Sequence, residues 1–184
     1  MQVIELGADE RRDDSVALLC ANVYGQQAGL APLIAFTGAL TQWLPRDQAR
    51  VLALVDQQGA VLSLALLVLE EDGKGAELKW LTTPKHLRDL GYARALVSRV
   101  TGCMRLKVVT TPAHEKWLSN AGFHHWRWRD SGDRLGFTRG SSELSATFMI
   151  DETLIVQQFK ADRSVFERFS ARFIKGLARF ADRA

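Results

Sequence analysis

Residues 88–93, Arg-Asp-Leu-Gly-Tyr-Ala, form the segment of this 184-residue chain whose residue types are best suited to chemistry. Gly91 removes a Cβ where backbone has to approach a ligand closely, and Ala93 keeps the following turn narrow. The segment lies between a strand and a helix, so successive N–H groups at the helix start form an anion cradle that the helix dipole reinforces. A pyrophosphate fits such a cradle, with Arg88 adding a charge-assisted contact. Arg88, Asp89, Leu90, Gly91, Tyr92 and Ala93 are therefore the candidate binding residues. Read alone, a glycine at this place is equally a plain turn residue. No Gly-Lys-Ser/Thr follows, which excludes a Walker loop. The preceding strand belongs to an antiparallel meander, which excludes a dinucleotide fingerprint.

Few other residues stand out as reactive. His86 and His114 lie in loops near the segment and carry imidazoles suited in kind to proton exchange; either is equally an ordinary surface histidine. Glu77, flanking Lys79, reads from the residues alone as a strand carboxylate. His124 and His125 are adjacent, so on a strand they point to opposite faces and suit no shared metal. No metal site is expected. Cys20 and Cys103 make no disulfide framework, and with no signal peptide at the N-terminus the expected setting is the reducing cytoplasm.

The elements that must position these residues follow from periodicity. Residues 2–6 alternate as a short strand. Asp13 and Asp14 precede a helical pattern that Gly25 ends. A second helix, 30–44, carries Leu33, Phe36, Leu40 and Trp43 on one side and stops at Pro45; these residues suit an apolar pocket wall or the core. Strands follow at 51–55, 61–69 and 77–83, with turns at 56–59 and 71–75 short enough to force an antiparallel meander. In the third strand Leu78, Trp80 and Thr82 alternate against Glu77, Lys79 and Leu81. Then come a helix ending at Gly102, a strand at 105–111, a short helix opened by Pro112, and two strands joined by Ser131-Gly132-Asp133. The order is β α α β β β α β α β β.

In this order the sequence resembles the GNAT acetyltransferase family, whose acyl-CoA loop reads Arg/Gln-x-x-Gly-x-Gly/Ala between the fourth strand and third helix. Arg88, Gly91 and Ala93 match its three fixed positions. WLSNAGF, residues 117–123, looks like the family's short helix ending in Gly-Phe. The resemblance covers about residues 1–140 and implies an α+β, three-layer fold around a mostly antiparallel sheet splayed between its fourth and fifth strands. It implies acetyl-CoA in that gap, with Leu81, Thr82 and Thr83 pairing backbone with the pantetheine and 88–93 holding the pyrophosphate. It implies acetyl transfer to an amine of a small molecule or protein, with Glu77 as the candidate general base. At the position of the family's usual tyrosine acid stands Leu118. That substitution keeps open a second reading, a module that binds acyl-CoA without transfer.

Composition agrees with a packed domain: 47% of residues are apolar, 24% are charged and the net charge is +3. No apolar run is long enough to span a bilayer, and a nucleic-acid partner is not expected from so small a charge. Trp126 and Trp128 alternate with Arg127 and Arg129, which suits a half-buried strand with a basic face. Residues 141–184 form an extension. There 145–150 and 153–159 read as strands, and a capping box at Ser164 to Glu167 starts a basic helix with Phe166, Phe169, Phe173, Leu177 and Phe180 on one stripe. That stripe is expected to pack on the domain or on a second copy in a homodimer.

Overall fold

The computed structural model describes residues 1–25, 27–138 and 145–181. Among them the chain forms a seven-stranded sheet in the order β1-β2-β3-β4-β5-β7-β6, with helices on both faces. The strands are β1 (Gln2–Glu5), β2 (Ala49–Val55), β3 (Val61–Leu69), β4 (Ala76–Thr82), β5 (Leu106–Thr110), β6 (His125–Trp128) and β7 (Arg134–Phe137). Every pairing is antiparallel except that of β4 with β5. The helices are α1 (Glu10–Tyr24), α2 (Ala31–Gly38), α3 (Tyr92–Thr101), α4 (Pro112–Ser119), α5 (Glu152–Ala161) and α6 (Arg163–Ala181). α+β is thus the class, and the element order of the first 138 residues is the one that periodicity predicts.

The meander is central because its residues are apolar on both faces. Val51, Ala53, Leu64, Leu66 and Trp80 point into a core shared with α1, α2 and α6. Leu54, Ala65, Leu67, Leu78 and Val108 point into a second core roofed by α3 and α4. β3, buried almost throughout, is the wall between them.

Strict alternation fails once along β4, at the place that matters most. Leu66 pairs with Trp80, but Leu67 pairs with Leu78, so Lys79 is the extra residue of a β-bulge. The bulge flips the faces. Leu78 joins Leu81 beside the α3/α4 core, while Trp80 lies in the α1/α2 core. Leu78 and Trp80, expected on one face, lie on opposite ones, because two large apolar residues two apart are each claimed by a different core.

Other assignments also differ from expectation. α1 starts a turn early, at Glu10, because the Asp9 side chain accepts from the Arg12 N–H at 3.0 Å and caps it. α2 runs on through a π turn, Ala39–Trp43, and a 3-10 turn, Leu44–Arg46, so the single long helix is a composite. The segment 153–159 is helical within α5, not a strand. The Asp151 carboxylate accepts from the Leu154 N–H at 2.9 Å, Ile155 is wholly buried, and Phe159, four on, packs on the α1/α2 core. Residues 145–150 cross the end of β3 with one bridge, Glu70 to Thr147, not as a strand of the sheet. α6 is capped by Asp162 and not by the expected box at Ser164 to Glu167: the Asp162 carboxylate accepts from both the N–H and the hydroxyl of Ser164, and Glu167 pairs with Arg163. Its Phe169 is buried and its Phe166, Phe173, Leu177 and Phe180 pack on the α1/α2 core, so the stripe faces the domain.

Candidate acyl-CoA cleft

The parallel ladder between β4 and β5 has only two rungs, Ala76 with Leu106 and Glu77 with Lys107. Beyond them the strands part, since β5 remains bound to β7 on its other side through Thr110. A cleft of about 600 Å³ opens in the gap, with Leu78, Leu81 and Val108 on its strand walls and Trp117 and Leu118 from α4. Strand edges that face a gap carry backbone N–H and C=O groups that need partners, so an extended molecule bearing amides suits this space.

The end of β4 is held rigidly. Ser63 donates to the Thr82 carbonyl at 2.9 Å and lies 3.1 Å from the Thr83 hydroxyl. Asn22 of α1 donates to the Thr82 hydroxyl at 2.9 Å. Past Thr83 the cleft passes into a second cavity of about 480 Å³ that shares Thr83, Arg88, Ala93 and Trp117 with it. This second cavity is bounded by Arg88, Asp89 and residues 91–94 at the start of α3.

There Gly91 is the N-cap in the left-handed region, φ 81°, and a Cβ on it would meet nothing within 4 Å. The glycine is needed for its backbone angle, and the space before it is open for a ligand. Asp89 is also left-handed, φ 63°, a conformation that Asp tolerates better than most residues. The first helical bond of α3 runs from the Ala95 N–H to the Gly91 carbonyl at 3.0 Å. The N–H groups of Tyr92, Ala93 and Arg94 therefore have no backbone acceptor among the described residues and face the loop side of the helix. Arg88 is anchored by a long bond, 3.4 Å, from its Nε to the Thr83 carbonyl.

Leu81, Thr82, Thr83, Arg88 and Ala93 thus line the first cleft, and Asp89, Gly91 and Tyr92 the second. Leu90 is 61% exposed and lines neither, and Tyr92 packs partly on the α3/α4 core. His114 lines the first cleft one turn before Leu118, with its Nδ1 3.4 Å from the Thr111 hydroxyl. His86, exposed in the 3-10 turn Lys85–Leu87, lines neither cavity. Leu118 is 4% exposed in the cleft wall and offers no proton. Tyr24, whose hydroxyl pKa burial pushes up, packs edge-on against Trp80 at 6.2 Å on the α1 side.

Glu77 stands behind the wall rather than in it. Its Oε1 is 3.2 Å from Lys79 Nζ, and its Oε2 accepts from the Thr147 hydroxyl at 3.0 Å. The bulge turns Lys79 into the cleft and sets it between Glu77 and the open space. Sequence reasoning missed Lys79, Asn22 and Thr147. The first is exposed to the site by a bulge that alternation does not reveal, and the other two arrive from distant parts of the chain.

The Gly-Phe pair after α4 has a packing reason. Gly122 has φ 118°, and a Cβ there would run into Thr101, while Phe123 is wholly buried in the α3/α4 core. No protein-family model and no curated protein matches the chain. Solved structures do. Tetrahymena GCN5 aligns with a TM-score of 0.57 at 10% identity, over 79% of this chain and all of its own. A GNAT-family acetyltransferase from Staphylococcus aureus Mu50 aligns at 0.52 and 10% identity, over 74% of this chain and 98% of its own. A point mutant of the Vibrio cholerae spermidine N-acetyltransferase SpeG aligns at 0.51 and 12% identity, over 78% of this chain and all of its own. The chain has the GNAT fold. In this GNAT fold the parted strands, the bulge of β4 and the glycine-started α3 form one continuous groove.

Proposed function

We propose that this GNAT-fold chain binds acetyl-CoA in the cleft and transfers the acetyl group to an amine of a small molecule or protein. The observation that carries the reading is the early end of the β4–β5 ladder, which leaves a groove running from the sheet to the start of α3. Acetyl-CoA would supply a thioester carbon for the amine to attack and a thiolate able to leave. The residues of the chain fit that molecule. Strand edge 81–83 offers backbone groups to the pantetheine amides. The N–H groups at the start of α3, with Arg88, suit the pyrophosphate. Leu78, Val108, Trp117 and Leu118 exclude water, which strengthens every polar contact inside.

Proton handling falls to a short set of groups. Glu77 is the candidate base for the acceptor, reached when Lys79 Nζ leaves its Oε1. His114, in the cleft wall, is placed to exchange a proton with a leaving group in place of the missing tyrosine. Leu118 also supports a second reading, in which the chain holds acyl-CoA without transferring from it.

Calorimetry with acetyl-CoA on the native chain and on Gly91→Trp tests the site. Binding in the micromolar range is expected for the native chain, about −8 kcal/mol. The tryptophan, strained at φ 81° and filling the loop side of α3, should weaken it more than tenfold with the circular dichroism unchanged. No binding of any short acyl-CoA by the native chain would overturn the assignment. Binding without thiol release against a panel of amines would favour the second reading.

A further inference from the structure

Which amine the cleft accepts is written in its charges. Asn22 and Val23 of α1 line the cleft together with Lys79 and Thr82 of β4. The charged groups among the described residues lining the cleft are Lys79 and Arg88, with the imidazole of His114; no carboxylate lines it. Arg88 belongs to the loop end of the groove, so Lys79 is the charge that an acceptor meets.

Lys79 is built for presentation rather than for burial. Its side chain is 35% exposed while its partner Glu77 is 10% exposed. Thr147 pins the other oxygen of Glu77 from behind, on a segment itself tied down by the Glu71 N–H to the Ala146 carbonyl at 2.9 Å and by Trp43 Nε1 to the Phe148 carbonyl at 3.1 Å. Glu77 thus fixes one donor direction of the ammonium and leaves two others for the cleft. Asn22, which lines the same cleft, spends one amide N–H on Thr82. An ammonium with donor directions to spare, in a cleft wall without a carboxylate, matches a carboxylate on the acceptor. A polyamine arriving here would set its second ammonium against Lys79 with no carboxylate in the cleft wall to hold it.

We infer that the acceptor is an amine that carries its own carboxylate, and that Lys79 is the residue that reads it. The inference rests on the acyl-transfer reading above. A carboxylate at Lys79 also competes with Glu77 for the ammonium, which loosens Lys79 from Oε1 only when an acceptor of the right class is present.

The test uses three acceptors of one length: β-alanine, β-alaninamide and 1,3-diaminopropane. Thiol release at saturating acetyl-CoA gives kcat/KM, and calorimetry on the CoA-loaded protein gives binding without turnover. β-Alanine should lead both others by about tenfold or more, the scale of one charge-assisted hydrogen bond. Lys79→Met should collapse that lead, Lys79→Arg should keep it, and Lys79→Glu should turn the preference toward the diamine. A preference for the diamine in the native protein, equal binding of all three, binding of none, or a β-alanine lead that survives Lys79→Met would overturn the inference while leaving the acyl-transfer reading intact. Failure of acetyl-CoA itself to bind, measured on the same samples, defeats the acyl-transfer reading and the acceptor class with it.

Discussion

Trp126 and Gly136 face each other across the final hairpin, and the pair shows how much one missing Cβ can hold in place. The two are register partners, and a Cβ on Gly136 would meet the Trp126 ring at 2.5 Å. The ring cannot swing aside freely, because its Nε1 donates to the Ser119 hydroxyl at 2.9 Å and to the Phe123 carbonyl at 3.2 Å. Those bonds tie the hairpin to the end of α4, which forms a wall of the cleft. Gly136→Ala should therefore cost about 1–3 kcal/mol, the range for overpacking, and lower the urea midpoint accordingly. A change within error would mean that the indole relaxes without loss. Trp128, two residues on, lacks this role. It is 67% exposed, with the Arg134 guanidinium 4.3 Å from its ring centroid. From the sequence the two tryptophans look alike; what separates them is the neighbour across the strand.

At the scale of elements, what was legible in the sequence was whatever a local rule controls. The strand-loop-helix around Gly91 follows from the glycine, the short turns and the helix formers, and the order of the first eleven elements follows from periodicity. The bulge at Lys79 was not legible, because its cause is the demand of two cores on Leu78 and Trp80. Nor was α5, since Thr153, Ile155 and Val156 read as strand formers until the Asp151 cap and the packing of Ile155 and Phe159 decide otherwise. The Asp151 N–H donates to the Gln42 side-chain oxygen at 2.7 Å and its carbonyl accepts from the Gln42 amide N–H at 3.2 Å, so the cap is fixed to the π turn that continues α2. Asp151→Ala should cost about 1 kcal/mol, measured by chemical denaturation. α6 offers a sharper contrast along one helix. Phe169 is buried against the α1/α2 core while Ile174 is 65% exposed. Phe169→Ala should cost about 3–5 kcal/mol and Ile174→Ala less than about 0.5 kcal/mol. Equal effects would mean that α6 does not dock along this face in solution.

Over the whole molecule, the last helix is held to the first by a charged seam whose members respond to pH in opposite directions. Glu10 meets Lys175 at 3.1 Å and Arg179 at 2.8 Å, and Asp14, one turn along α1, meets Arg179 at 2.8 Å. The Lys175 hydrogen bond and charge hold the exposed Glu10 carboxyl below its ordinary pKa. Asp14 is buried beneath α6, and there desolvation outweighs the pull of Arg179, so its pKa is raised. A carboxyl whose pKa is lowered by folding contributes stability that is present above its unfolded pKa and lost as pH falls through the folded one. A carboxyl whose pKa is raised does the reverse. The folded chain binds its proton more readily, and stability from that group grows as pH falls from the raised value to the unfolded one. Glu10→Gln should therefore destabilise at pH 7, with the deficit holding down to about pH 4, the ordinary carboxylate range, and shrinking only below it. Asp14→Asn should be neutral or stabilising at pH 7, because it removes a buried charge while Arg179 keeps Glu10, and its advantage should fade on acidification toward about pH 4, above the window in which Glu10 responds, as the native Asp14 becomes protonated. Urea midpoints at pH 7, at about pH 4 and below it, in low salt, read both variants. If Asp14→Asn instead loses stability at pH 7 as Glu10→Gln does, then Arg179 and not burial dominates at Asp14, and the seam acts as a single ion-pair network that weakens throughout as acid is added.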